Sequence, residues 1–198
     1  MPSNFELNKG DQFIVAFDCS GSMQTPDCPG GTTRFTHVKE TMKAFIRAAA
    51  QWDPDGVSFY AFNFECREYP DVKTPEEIET IIAALRPSGG TNTHLAIRDA
   101  YAEHKRKGSE QTFLLIFTDG EPTEPDLVEA EVVRITNDVQ DEKEFRISIL
   151  TVGKRSAGLE AWLSDLDNNL TSARYDIIDV NELDKVDFMA AVDGAITG

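Results

Sequence analysis

The sequence predicts an α/β fold: an open, doubly wound, mostly parallel sheet of six strands with one antiparallel edge strand, flanked by about six helices. Three observations predict it. Short apolar runs rich in β-branched and aromatic residues alternate with longer segments of helical spacing. Several of these runs lack polar alternation, as strands covered on both faces do. No repeat, linker or low-complexity stretch divides the chain, so one domain over residues 1–198, with its core at about 11–197, is expected.

Residues 13–17 (FIVAF), 57–62 (VSFYAF), 113–117 (FLLIF), 147–152 (ISILTV) and 175–180 (YDIIDV) read as parallel strands. Residues 64–69 (FECREY) are more polar and read as an edge strand, hairpin-paired with the strand before. Phe35, Val38, Met42, Phe45, Ile46 and Ala49 form one apolar helical stripe, and Ile78, Ile81, Ile82 and Leu85 a second. Leu159, Trp162, Leu163 and Leu166 form a third, and Met189, Val192 and Ile196 a fourth. Residues 95–107 and 125–139 are helical with less regular stripes. Thr74 and Thr123 each stand three residues before an acid, with Pro in the first turn, and read as helix caps. Trp52 and Trp162 read as core or helix-end packing.

Thirty-five Asp and Glu against 19 Lys and Arg give a formal charge of -16, which repels nucleic acid and anionic membrane and excludes both as expected partners. The ordinary role of such a surface is solubility. The first residues lack the basic and apolar regions of a secretory signal, and no apolar run approaches the ~20 residues that span a bilayer, so a cytoplasmic protein is expected. Cys19, Cys28 and Cys66 are odd in number and show no C-x-x-C spacing; they read as reduced thiols, not a disulfide framework or a zinc site.

In a doubly wound sheet, ligands bind beyond the C-terminal ends of the strands, where the strand order reverses. Three loops stand out there. The first strand runs into Asp18-Cys19-Ser20-Gly21-Ser22, the strand ending at Phe117 runs into Thr118-Asp119-Gly120, and Ser88-Gly89-Gly90-Thr91-Asn92-Thr93 precedes the helix near Leu95. Their carboxylates and hydroxyls are hard oxygen donors suited to Mg²⁺, Mn²⁺ or Ca²⁺; soft ligands are absent unless Cys19 turns inward. In D-x-S-x-S, alternate side chains of an extended loop point the same way, and Gly21 relieves crowding near an ion. Two carboxylates balance a +2 ion and neutral hydroxyls add no charge, which leaves the ion able to attract an anion. The 24–33 loop (QTPDCPGGTT), rich in Pro and Gly, directly follows this motif. Glu121 and Pro122 read as a turn, and His94 as a first-turn helix residue.

D-x-S-x-S after the first strand, the G-G-T-x-T loop and T-D-G together resemble the metal-ion-dependent adhesion site of von Willebrand factor A domains, of the stand-alone cytosolic type, and the resemblance spans nearly the whole chain. It implies that Ser20, Ser22 and Thr91 supply hydroxyl ligands and that Asp18 and Asp119 supply carboxylates, directly or through water; all five family positions are filled. It also implies a Rossmann-like sheet of six strands. The expected cofactor is Mg²⁺, with Mn²⁺ the alternative and Ca²⁺ less suited. The expected partner is a protein that offers a Glu or Asp side chain to the metal.

An accessory role beside a separate AAA-type ATPase, or in a chelatase-like complex, is the other reading this family suggests; the sequence carries no ATPase motif. An enzyme is the third. An aspartate directly after the first strand also opens the phosphotransferase motif of haloacid-dehalogenase-like enzymes, but their general acid two residues on is Ser20 here, which cannot protonate a leaving group near neutral pH in the same way. No G-x-S-x-G elbow and no phosphate-binding glycine loop appear, and no free base stands out to serve a metal-activated water, so no enzyme activity is expected.

Overall fold

The computed structural model describes residues 11–49 and 55–185. Six strands form one sheet: β1 (Gln12–Asp18), β2 (Val57–Phe62), β3 (Cys66–Val72), β4 (Thr112–Thr118), β5 (Phe145–Thr151) and β6 (Ile178–Glu182). The order across the sheet is β3-β2-β1-β4-β5-β6. β3 alone is antiparallel, hairpin-paired to β2, and the other pairings are parallel. Five α-helices are described: α1 (Arg34–Ala49), α2 (Pro75–Ala84), α3 (Thr93–Lys107), α4 (Pro125–Asp138) and α5 (Ala157–Asn168). The expected helix through Met189, Val192 and Ile196, and Trp52, lie outside the described residues.

Every residue of β1 and β4 is buried, which is why their sequences show no polar alternation. Alternate side chains feed two separate cores. Phe13, Val15 and Phe17 pack with Val38, Met42 and Phe45 of α1 and Ile78 and Ile82 of α2. Ile14 and Ala16 pack on the other face with α3, α4 and Leu166 of α5. Burial of one such side chain contributes roughly 1.5–3 kcal/mol, so neither face can be left bare.

Three boundaries and one cap depart from expectation. The edge strand begins at Cys66, two residues later than the apolar Phe64 suggested, and it runs through Pro70, which an edge strand tolerates because one side of its backbone is unpaired. The last strand is 178–182 and not 175–180, while β5 starts two residues early, at Phe145. Thr74 closes a full capping box with Glu77. Thr123 does not cap α4: Glu124 holds that position and makes no side-chain capping bond. Trp162 packs against the second core, and its Nε1 donates to Glu129 at 2.7 Å.

At the N-terminal end of the sheet lies a buried polar knot. Glu103 accepts from Gln12 Nε2 at 2.8 Å, Ser58 Oγ at 2.5 Å and Tyr60 OH at 2.7 Å, and pairs with Lys107 at 2.9 Å. Burial raises its proton affinity, but these donors outweigh it and hold Glu103 below the ordinary carboxylate range. The knot explains the irregular stripe of α3, which buries Glu103 and His104. Among the described residues no helix is long and apolar enough to cross a membrane.

Candidate metal centre

β1 and β4 lie side by side, β2 leaving on one flank and β5 on the other, so the loops after β1 and β4 open at the strand-order reversal. Both carry an aspartate there. Asp18 is fully buried. Its Oδ1 accepts from the Ser20 amide at 2.7 Å and its Oδ2 from Thr118 Oγ1 at 2.6 Å. Thr118 Oγ1 in turn accepts from the Gly120 amide at 3.0 Å. That turn needs glycine: Gly120 has φ 86, and a Cβ would sit 3.3 Å from Thr151 Cγ2. T-D-G is therefore a brace for Asp18 as well as the carrier of Asp119.

Burial pushes the Asp18 carboxyl up to about 6, with the nearby charge of Asp119 adding to the rise against the lowering hydrogen bonds. A carboxylate held in such a place gains from a compensating cation. Ser20 Oγ and Ser22 Oγ lie 2.9 Å apart, but not on the extended loop expected: the chain turns into a 3-10 helix at Gly21–Gln24 with Ser20 at its N-cap, and this turn brings the two hydroxyls together. Cys19 turns away into the first core, its Sγ 3.7 Å from the Phe17 carbonyl, and burial pushes its thiol up to about 12. It is not placed as a soft ligand.

The third loop is tied to the first by backbone bonds. Ser88 N donates to Cys19 O at 2.8 Å and Gly21 N to Gly89 O at 3.1 Å. Thr91, also buried, is locked from the other side by Thr123: Thr91 N donates to Thr123 Oγ1 at 2.8 Å, and Thr123 N donates to Thr91 O at 2.9 Å. The hydroxyl read as a helix cap instead joins the Thr91 loop to the segment after β4. His94 falls in the first turn of α3, as expected.

Asp119 is 3% exposed and its two oxygens differ. Oδ1 is buried with no hydrogen-bond partner among the described residues, a costly condition for a carboxylate oxygen. Oδ2 pairs with Arg34 Nη1 at 2.8 Å. The other edge of the same guanidinium binds Asp27 in bidentate fashion, Nε to Oδ1 at 2.9 Å and Nη2 to Oδ2 at 2.8 Å, which holds Asp27 down at about 2. Sequence reasoning gave no role to Arg34 and Asp27, named Thr118 only as part of the T-D-G loop, and read Thr123 as a helix cap. One signal was available for Arg34: it opens α1, where the helix dipole disfavours a cation, so an acidic partner was to be sought.

The donor set fits a hard divalent ion. Asp18, Ser20, Ser22, Thr91 and Asp119 supply only oxygen, and the unsatisfied Oδ1 of Asp119 is the kind of atom a cation would satisfy. With two carboxylates the cluster holds fewer than three acidic, His or Cys groups, and no group of three or more such residues that could hold a metal occurs among the described residues.

The family model of the von Willebrand factor type A domain matches residues 13–187. The structure of a manganese-loaded TRAP protein from Plasmodium vivax is similar, at 11% identity with TM-score 0.65, over 93% of this chain and 72% of that one. The SpRpn10 VWA domain is similar at 12% identity with TM-score 0.64, over 94% and 93%. A von Willebrand factor type A protein from Catenulispora acidiphila gives 15% identity and TM-score 0.62, over 95% of this chain and 41% of that one. At these identities the likeness concerns the fold. Comparison with curated proteins found no match.

Proposed function

The chain belongs to the von Willebrand factor type A domain family, and from that premise we propose that it is a metal-dependent protein-binding module. Asp18, Ser20, Ser22, Thr91 and Asp119 hold Mg²⁺ or Mn²⁺, and a Glu or Asp side chain of a partner protein completes the site. The observation that carries this reading is the buried, unpartnered Oδ1 of Asp119, at the strand-order reversal beside a buried Asp18. A bound divalent ion would supply an electrophilic position for a carboxylate. The chain's own part is to pre-form the cradle: Thr118 and the Ser20 amide fix Asp18, Thr123 fixes Thr91, and Gly120 aims Asp119. On this reading the site binds and does not turn substrate over.

Isothermal titration with Mg²⁺ tests it. One site is expected in the wild type and none in Asp18→Ala, with the fold of both checked by circular dichroism. Capture of a partner from the native host should be lost on adding EDTA and lost in Ser20→Ala. Metal binding that persists in Asp18→Ala places the ion elsewhere, and partner capture that survives EDTA and Ser20→Ala removes the metal from recognition.

A further inference from the structure

The 24–33 loop is an irregular segment the proposed site does not use, and it closes around the guanidinium of Arg34. Its Asp27 grips Arg34 through both carboxylate oxygens, and the Lys154 amide donates to Asp27 Oδ2 at 3.0 Å. The Arg34 amide donates to the Thr25 carbonyl at 3.1 Å, and Nη2 reaches the Lys154 carbonyl at 3.4 Å. Gly153, with φ 80, leaves the space the Arg34 side chain fills; a Cβ there would clash with Arg34 Nε. The Arg34 side chain is only 12% exposed. Two chain segments, the 24–33 loop and 153–154, thus converge on Arg34 and hold one cation against Asp119 Oδ2.

We infer that Arg34 is a resident counter-cation of the metal site, which shares Asp119 with the ion and sets how tightly the ion is held. This rests on the metal reading above. Asp119 offers Oδ2 to Arg34 and keeps Oδ1 for the metal. Arg34 faces Asp119 with one edge and Asp27 with the opposite edge, so its positive charge is nearer the site than the negative charge that offsets it. The nearer charge dominates. Arg34 therefore repels a divalent ion and draws electron density from the carboxylate the ion must use. When the ion is bound, Asp18 and Asp119 cancel it and Asp27 offsets Arg34 in sum, but the positive edge of Arg34 lies on the Asp119 side and Asp27 on the far side, so the field near the ion stays more positive than the sum. The same residue weakens the metal and strengthens the pull on an incoming carboxylate.

Mn²⁺ titration of the whole chain, read by electron paramagnetic resonance of the free ion, tests this with Arg34→Gln and Arg34→Lys. Arg34→Gln keeps a hydrogen-bonding side chain without the charge and should bind Mn²⁺ on the order of tenfold more tightly than wild type. Arg34→Lys restores the charge and should return to near wild-type affinity, which a packing role alone would not do. Arg34→Gln that binds no more tightly than wild type, or an Arg34→Lys that matches Arg34→Gln, overturns the inference while leaving the metal site standing. Absence of Mn²⁺ binding in all three overturns both. If Arg34→Gln does not fold, the wild type answers through the Arg34 side-chain N–H resonances during a Mg²⁺ titration. They should shift with the midpoint of metal binding, and resonances that stay fixed through saturation overturn the inference.

Discussion

Asp18→Asn should make the metal-free protein more stable. Asp18 is fully buried, and its carboxyl is raised from 3.8 to about 6, chiefly by burial. About two units correspond to roughly 3 kcal/mol of strain at neutral pH, because the folded state must carry a charge it would rather neutralise. Asparagine removes the charge and retains an oxygen to accept from the Ser20 amide. Its amino group faces Thr118 Oγ1, which now serves as donor to Asp18 and would have to accept instead, at a cost of about 1 kcal/mol. A net gain of about 1–2 kcal/mol remains.

Urea denaturation in EDTA near pH 7, followed by circular dichroism, measures this directly. The pH dependence has a defined sign. As pH falls through about 6 the folded wild type takes up a proton, while the unfolded chain stays charged until near 3.8. Wild-type stability therefore rises relative to the variant between about pH 7 and 4, and the gap closes. On the proposed metal reading, saturating Mg²⁺ should reverse the order, because only the wild type would gain binding energy from the metal. An Asp18→Asn protein less stable than wild type in EDTA by more than about 1 kcal/mol would refute the reasoning, as would a gap that does not narrow on acidification.

Glu103→Ala should cost about 3–5 kcal/mol in the same assay, because Gln12, Ser58, Tyr60 and Lys107 lose their shared acceptor. The folded carboxyl of Glu103 lies below its ordinary value, so its contribution is complete at neutral pH and is lost as pH falls through that lowered range; a wild-type excess that persists unchanged into strong acid would count against it. Thr123→Val should cost about 1–2 kcal/mol and weaken Mg²⁺ binding by releasing Thr91; Thr123→Ser should behave as wild type, and equal behaviour of the two variants would return Thr123 to a merely local role. Gly120→Ala should lower thermal stability by about 1–3 kcal/mol, as φ 86 demands, and a neutral effect would mean that the turn relaxes freely.

The parts of this protein that were legible in sequence are those written within a few neighbouring residues. β1 and β4 are buried on both faces, so the interiors of their runs are apolar; the Ser20 and Ser22 hydroxyls meet through a 3-10 turn at Gly21–Gln24, not through the extended loop the spacing suggested. Edge elements were read less well. In β3 and β6 burial no longer dictates each residue, and hydrogen-bond register, not hydrophobicity, decides where pairing begins. Thr123 shows the same limit at the site: its spacing to Asp126 matched a capping signal, yet a bond to Thr91, 32 residues away, won.

Arg34 and Asp119 are 85 residues apart, and no local pattern announces their pairing. Its consequence reverses part of the charge argument made from the motif alone. Asp18 and Asp119 by themselves would just cancel a divalent ion. With Arg34 on Asp119 and Asp27 on the far edge of Arg34, a site that held a divalent ion would sum to zero, with the positive edge of Arg34 turned toward Asp119, although the chain carries -16 in all. A uniformly acidic surface would turn away any acidic partner at long range. On the proposed metal reading, a largely buried arginine beside Asp119 would give a local field of opposite sign where a carboxylate is to enter, and the partner best matched to both fields would be neutral or basic around a single protruding Asp or Glu.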